Sequence, residues 1–486
     1  MGIGGCALVP APDRPNIVYL FSDQHRWDAM GASGHPTVVT PNMDRLASEG
    51  VRFGRCSCNA PLCRPSRATM MTGLHPRAHG VWTNWKSADQ FGPSHVRRLR
   101  DEGGYHTALV GKGHLHQGEG HLDDYIPIMQ NWGFESLYEL LGPGQSFDVR
   151  SCYTDWLAAT TSQGEVSKYQ RLKEYIDDQF EENWLSPWNT AAPDAEPWRL
   201  RTEDHVDTFT GRVAAKFIRE HADTRPFYLQ VNFPGPHNPF DATTEFRALL
   251  EGSASDLPAG ILEQVMDPRS FPVTYSIEFQ DVTGMTEEQH RLLQILYLAK
   301  VSLVDAAIGQ VISALEERDL LEDTWIIYGS DHGEMLGDHY LIGKIVFFEG
   351  ATRVPLIIRP PGGLSGGAVT DALVDQLDVT STILDVAGLV PDVEHGRSLR
   401  GTVDDPHGSG SSTEGKDWVL CENFLHGMLR TQGHKLVMDY RDTSPVELYD
   451  LEEDPEELVN LVEDPGYAGI RDELAEQIVD CVHVNT

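Results

Sequence analysis

The chain has 486 residues, 40% apolar and 23% charged, with 45 Gly and 29 Pro, which excludes collagen, coiled coils and wholly disordered chains. Acidic residues outnumber basic ones 74 to 38, a net charge of −36, so nucleic acid and anionic membranes are disfavoured partners. Seven cysteines are a sparse, odd set rather than a disulfide framework. No window approaches the ~18 consecutive apolar residues of a membrane helix, and the N-terminus MGIGGCALVPAPDRPN lacks the features of a signal peptide; the expected location is the cytoplasm.

In chain order, Asn16 to Ser22 (NIVYLFS) reads as a buried strand ending at Asp23-Gln24. Thr40 to Gly50 combines an N-cap at Thr40, Pro41 in the first turn and a Gly stop, and predicts a short helix followed by a strand at Val51 to Phe53. Tyr105 to Val110 is a strand delivering Gly111-Lys112-Gly113-His114, and Pro226 to Phe233 one delivering Pro236-His237. Glu287 to Leu315 has helical apolar spacing, weakened at Gly309, and Thr324 to Tyr328 is a strand ending in Ser330-Asp331-His332-Gly333-Glu334. Four strands that release Asp, His and Lys at their carboxyl ends, with helices between them, predict an open α/β sheet whose site lies along that edge.

Residues 145–205 are rich in Trp, Tyr and acid and read as an insertion of irregular loops near the cleft. Residues 404–415 have linker composition. Short strands at Trp418 to Cys421 and Lys435 to Met438, then the segment Glu447 to Leu451 and a helix from about Gly469 to Val479, predict a small C-terminal α+β domain over 416–486, behind a catalytic α/β domain over 1–403.

The string Leu62 to Gly73, LCRPSRATMMTG, holds the most information. Pro65 and Ser66 suit the first turn of a helix whose N–H groups favour an anion beside Cys63. CRPSRATMMTG resembles the C-x-P-S-R-x-x-x-L-T-G signature of the type I sulfatases, with Met71 where that family has Leu. The resemblance runs from the Asn16 strand through SDHGE and the GK segment to ELYDLEEDPEELVNL, and it implies an alkaline phosphatase-like fold: a mostly parallel central sheet flanked by helices, plus a small antiparallel sheet.

The implied activity is hydrolysis of a sulfate monoester to an alcohol and sulfate. In the family the Cys is oxidised to formylglycine by a formylglycine-generating enzyme. One hydroxyl of the hydrated aldehyde attacks sulfur, and the other, deprotonated, expels sulfate as the aldehyde reforms. The resemblance makes Cys63 the nucleophile precursor and Arg67 its holder. It makes Lys112 and Lys344 sulfate-binding cations, His114 a contact of the hydrate, His237 the proton donor to the leaving oxygen, and Asn84 a substrate-side residue.

Strand ends and family together give Asp23, Gln24, Asp331 and His332 as metal ligands, with Gln24 either a ligand or an orienting group. The family more often has Asp-Asp and Asp-Asn at these two places; a His donor moves the preference toward manganese, with calcium and magnesium still compatible. Two other readings are weighed. A phosphonate monoester or phosphodiester hydrolase of the same superfamily shares the Asp-Gln and Asp-His pairs but replaces the Lys and His of the GKGH string. A non-catalytic anion-binding relative would keep the fold without the modification. The partner expected is a small sulfate ester, with homo-oligomer formation left open.

Overall fold

A strand covered on both faces has no solvent side, so its sequence reads as one apolar run. β1 (Asn16–Asp23) is such a strand: Ile17, Tyr19 and Phe21 enter one hydrophobic cluster, and Val18 and Leu20 the other. The computed structural model describes residues 14–483 apart from 89–93, 143–145, 147, 163, 181–200, 251, 264–280 and 408–414. The other strands of the large sheet are β2 (Val51–Ser57), β3 (His106–Lys112), β4 (Ser136–Leu140), β5 (Phe227–Pro236), β6 (Thr324–Ser330), β7 (Arg353–Val354), β8 (Leu356–Arg359) and β9 (Ala368–Asp375).

Their order is β4-β3-β5-β1-β6-β8-β2-β7, with β9 paired to β2. β4, β3, β5, β1 and β6 are mutually parallel. β8 runs antiparallel between β6 and β2, which returns β2 and its parallel partner β9 to the direction of β6. The sheet is therefore mixed, parallel through its centre, and seven strands present their carboxyl ends on one edge.

Helices Val206–Glu220 and Glu287–Glu317 pack together against one face of this sheet. The longer one runs through Gly309 without a break because Gly309 lies against Asn42, where a side chain has no room. By length and composition it is also long and apolar enough to cross a membrane, which the sequence reading overlooked; 78% of its apolar window is buried inside the protein, as a core helix requires.

The short helix Pro41–Ser48 forms as expected, but its cap is not Thr40, whose side chain makes no capping bond. Asp305 of the long helix supplies it, accepting the Asn42 amide at 3.1 Å and the Met43 amide at 2.8 Å. A carboxylate can satisfy the exposed N–H groups of a helix from a distant part of the chain, which no local sequence pattern reveals.

A second sheet, β10 (Val419–Glu422), β11 (His426–Arg430), β12 (His434–Asp439) and β13 (Ser444–Asp450), is an antiparallel meander. Its alternation serves two cores: Met428, Val437 and Val446 join the core of the large sheet, while Leu429, Leu436 and Leu448 pack under helix Ala468–His483. β11 escaped the sequence reading because His426 and Gly427 interrupt its apolar pattern. The expected loops of 145–205 are, in their described part, helices Cys152–Ala159 and Lys168–Phe180. Tyr153 and Leu157, and Leu172 and Ile176, each four apart, form a small core with Phe209; the acid and Trp content masked that helical spacing. Residues 181–200 of that segment and 408–414 of the expected linker lie outside the described residues.

Burial lifts the Asp305 carboxyl from 3.8 to about 6. The folded state then holds a proton that the unfolded state has released, so this group's contribution falls as pH rises from about 4 through 6. Asp305→Asn keeps an acceptor for the helix and removes the titration. Urea unfolding at pH 4.5 and 7 is expected to show the stability of wild type relative to this variant dropping by about 2 kcal/mol between the two.

Candidate active site

The strand order dictates which side chains meet. Neighbours β3, β5, β1 and β6 end at Lys112, Pro236, Asp23 and Ser330, so the GKGH, PH, DQ and DH strings all emerge on one edge. β2 ends on the same edge and leads to helix Cys63–Thr72, which starts at Cys63 with Pro65 and Ser66 in its first turn. Ten of the eleven residues singled out from the sequence join one hydrogen-bonded or ion-paired cluster; Asn84 stands one step away. Its Oδ1 accepts the Arg64 amide at 3.0 Å and so caps the helix that carries Cys63.

Arg67 lies at the centre. Its guanidinium donates from Nη2 to Asp23 Oδ2 and from Nε to Asp331 Oδ2, each at 3.0 Å, and from Nη1 to the Lys112 carbonyl. The Lys112 ammonium stands 2.6 Å from Asp23 Oδ2. Burial and the Cys63 sulfur push the Asp23 pKa up, but Lys112, His237 and Arg67 outweigh them and hold it well below the usual range. Asp331 moves the other way, raised by burial and by the nearby Asp23 charge.

Cys63 Sγ is 3.1 Å from His332 Nε2, 3.2 Å from Lys344 Nζ and 3.7 Å from Asp23 Oδ1. His114 and His237 reach the same sulfur. Burial opposes thiol ionisation, but Lys344, His332 and Lys112 outweigh it and draw the Cys63 pKa well below its ordinary value. Burial brings His114 down to about 3, and burial with Lys344 lowers His237. The place held by the sulfur thus favours negative charge.

The donor set suits a divalent ion. One ligand atom from each of Asp23, Cys63, Asp331 and His332 lies within 4.8 Å of the others, and all four residues are buried. His332 Nδ1 is 2.9 Å from the Gly333 carbonyl and carries a proton there, so a bound ion would take the Nε2 position, in place of the proton that the Asp331 and Cys63 charges otherwise favour. Two carboxylates and a neutral imidazole match a Mn²⁺-like or Ca²⁺-like ion. Gln24 stands beside this set: its Oε1 accepts from Lys344, its Nε2 donates to Glu334, and its amide donates to Asp331 Oδ1 at 2.9 Å.

The sequence reading gave no role to the groups that hold this set. Ser66 Oγ lies 2.7 Å from the Asp331 carbonyl and 3.0 Å from Gln376 Oε1, the two acceptors sharing its one proton. Gln376 Nε2 donates to the Ser330 and Asp331 carbonyls at 2.8 and 2.9 Å. Arg64 donates to the carbonyls of His114 and His116 at 3.2 and 2.8 Å. Gln376 follows β9 directly, so the strand-end rule finds it once β9 is recognised. His116 and His339, given no catalytic part, stack on Tyr125 and Phe348 with centroids 4.2 and 4.1 Å apart.

Three outcomes are expected. Groups that orient ligands typically carry ~10–100-fold in metal affinity, so Gln376→Leu should weaken ion binding by about that factor in a chelator competition while the protein stays folded. Chelation should remove activity, with manganese restoring it at least as well as calcium. His332→Asn should move the preference toward calcium, read as thermal shift and reactivation over a series of ions. Identical ion profiles for wild type and variant would remove His332 from the ligand set.

The comparisons with known proteins agree with this geometry. A family model described as Sulfatase matches residues 15–389, and one described as N-sulphoglucosamine sulphohydrolase, C-terminal, matches residues 337–483. The chain is 30% identical over 464 residues to the choline-sulfatase of Rhizobium meliloti, covering 93% of this chain and 83% of that one. It is 26% identical over 462 residues to the arylsulfatase of Clostridium perfringens, covering 93% and 91%. Among solved structures, the phosphonate monoester hydrolase of Agrobacterium radiobacter superposes with a TM-score of 0.77 at 24% identity, covering 97% of this chain and 96% of that one. A structure in complex with its substrate D-glucosamine-2-N,6-O-disulfate superposes with a TM-score of 0.73 at 22% identity, covering 97% and 99%. With the Sulfatase model spanning most of the chain, from 15 to 389, and the signature cysteine buried among two carboxylates, two lysines and three histidines, this chain belongs to the sulfatase family of the alkaline phosphatase superfamily.

Proposed function

We propose that this chain hydrolyses a small sulfate monoester to its alcohol and sulfate, using a formylglycine made from Cys63 by a formylglycine-generating enzyme. The observation that carries the reading is the convergence of Lys344, His332 and Asp23 within 3.7 Å of the Cys63 sulfur at the carboxyl edge of the sheet. Formylglycine supplies a hydrated aldehyde at that point, one hydroxyl for attack on sulfur and one for expulsion of sulfate. A divalent ion, calcium, manganese or magnesium, held by Asp23, Asp331 and His332 with Gln24 beside them, supplies Lewis-acid stabilisation of a sulfate oxygen.

The chain's own residues then divide the work. Lys112 and Lys344 bind the remaining sulfate oxygens, where the positive field that lowers the Cys63 pKa already exists. Arg67 holds the two carboxylates apart from the substrate's charge. His114 accepts hydrogen bonds from the hydrate. His237, once protonated at Nε2 as well as at the Nδ1 that faces the Asn238 carbonyl, gives a proton to the leaving oxygen, and Asn84 sets the mouth of the site through the start of the Cys63 helix. The catalytic unit in this reading is 1–403, followed by the linker 404–415 and the small domain 416–486, with the 145–205 insertion beside the cleft.

The net charge of −36 favours small esters over highly sulfated polymers. A cytoplasmic location and homo-oligomer formation are carried as parts of the same proposal. The Asp-Gln and Asp-His pairs also favour a phosphonate monoester hydrolase, but Lys112 and His114 of the GKGH string weigh toward sulfate.

Mass spectrometry of the Cys63 peptide is expected to show a loss of about 18 Da on conversion of thiol to aldehyde. Cys63→Ala should remove turnover and leave the fold intact; a wild-type rate in pure Cys63→Ala protein would end the sulfatase reading. Cys63→Ser, which has no second hydroxyl, should accumulate a covalent sulfate adduct. A rate panel of aryl, sugar and choline sulfates beside phosphonate monoesters and phosphodiesters should rank a sulfate first, and a phosphonate ranking first would transfer the assignment.

A further inference from the structure

His237 sits in the segment that leaves β5, and that segment is pinned at both ends by one buried cation. Lys300, in the middle of helix Glu287–Glu317, has no solvent exposure. Its ammonium pairs with Asp241 and stands 3.6 Å from Asp207 Oδ2 and 3.3 Å from His205 Nε2. Asp207, Asp241 and His205 are buried as well. His205 Nδ1 accepts the Asp207 amide at 3.2 Å, which leaves its Nε2 proton toward Asp241 Oδ1 at 3.4 Å.

Two contacts tie this cluster to His237. Asp207 Oδ1 accepts the Gly235 amide at 2.8 Å. Gly235 rests so closely on the cluster that a Cβ there would stand 2.7 Å from Asp207 Oδ2 and 3.0 Å from Lys300 Cε. Gly235 comes just before His237 and Asp241 shortly after it, so the histidine is carried on a span whose two ends share one ammonium. Burial would raise the Asp241 carboxyl, but Lys300 and His205 outweigh it and keep Asp241 ionised, with a pKa of about 2. Apolar side chains of similar volume would secure the helix at least as well as a buried ion cluster, so the charges are kept for the segment they hold.

We propose that Lys300, Asp207 and Asp241 are positioning residues that hold His237 in line with the leaving oxygen of the substrate. This rests on the reading of His237 as the proton donor. Proton donation matters most when the leaving alcohol is a weak acid, so a displaced His237 penalises alkyl sulfates far more than aryl sulfates with acidic phenols. A clamp that only stabilises the fold would slow both alike.

The test is the ratio of kcat/KM for 4-nitrophenyl sulfate to that for a primary alkyl sulfate, measured on the metal-loaded, formylglycine-bearing enzyme. His237→Ala is the reference and should raise the ratio by ~100-fold or more. The paired variant Lys300→Met with Asp241→Asn leaves the net charge of the cluster unchanged and should raise the ratio at least about tenfold. Gly235→Ala displaces the same segment without touching the charges and carries the same expectation should the paired variant fail to fold. A folded variant with the wild-type ratio, beside a raised ratio in His237→Ala, overturns the positioning role. An unchanged ratio in His237→Ala itself overturns the proton-donor reading and this inference with it.

Discussion

Two carboxylates on adjacent parallel strands, neither with any solvent exposure, meet at the end of β1 and just beyond β6, and Arg67 is what lets them do so. Removing a carboxylate from water costs several kcal/mol unless the charge is paired and its lone pairs are filled. Arg67 bonds Asp23 and Asp331 at 3.0 Å each and fixes the first turns of the Cys63 helix to the sheet edge. The signature arginine is thus a charge bridge before it is anything else. Its planar fork reaches two strands at once, which the point charge of a lysine could not do.

The same edge stores strain. Gln24 and His114, both site residues just beyond strands, have φ of 68° and 56°, in the left-handed region that side chains other than glycine rarely occupy. Such positions cost on the order of 1–3 kcal/mol and persist where the surroundings overdetermine them. Here the Gln24 amide is held by Asp331 Oδ1 and the His114 carbonyl by Arg64. The turn folds each side chain back over the strand ends, so Gln24 meets Lys344 and His114 meets Cys63. An open strand conformation would send both away from the edge.

The sequence made the site legible because its chemistry sits at the ends of apolar runs: Asp23, Lys112, His237 and Asp331 each follow a strand whose burial on both faces is plain from composition. The wall opposite was not legible. β8 and β9 are short or half-exposed, so their patterns carry little signal, and with β9 went Gln376, which fixes the Asp331 carbonyl. Asp305 capping a distant helix, and Lys300 within an apolar helical face, depend on contacts between elements far apart in sequence. The one local sign of Lys300 was a lysine inside the run LYLAKVSLV, where helical spacing alone expects an apolar residue.

That sign belongs to a wider economy of charge. The chain has only nine lysines, and Lys112, Lys300, Lys344, Lys416 and Lys435 are buried, although lysine is among the residues least often found inside proteins. Two of them face Cys63 or its carboxylates directly. Each of the other three ties down a segment that carries a site residue. Lys300 holds the span around His237. Lys416 pairs with Asp375 at 2.7 Å and Asp378 at 2.8 Å, fixing the start of the helix that begins with Gln376. Lys435 of β12 bonds the Phe347 carbonyl and Glu349 at 2.9 Å each, just after the loop of Lys344. The small C-terminal sheet therefore reaches the candidate site through Lys435, through Arg430 on Glu349 and through Asn423, whose Nδ2 donates to the Ile345 carbonyl at 3.3 Å, and its seam with the large sheet supports the loop that presents Lys344. Because the strand ends alone leave these three segments as surface connections, the buried cations are what fasten them to the sheet edge they complete.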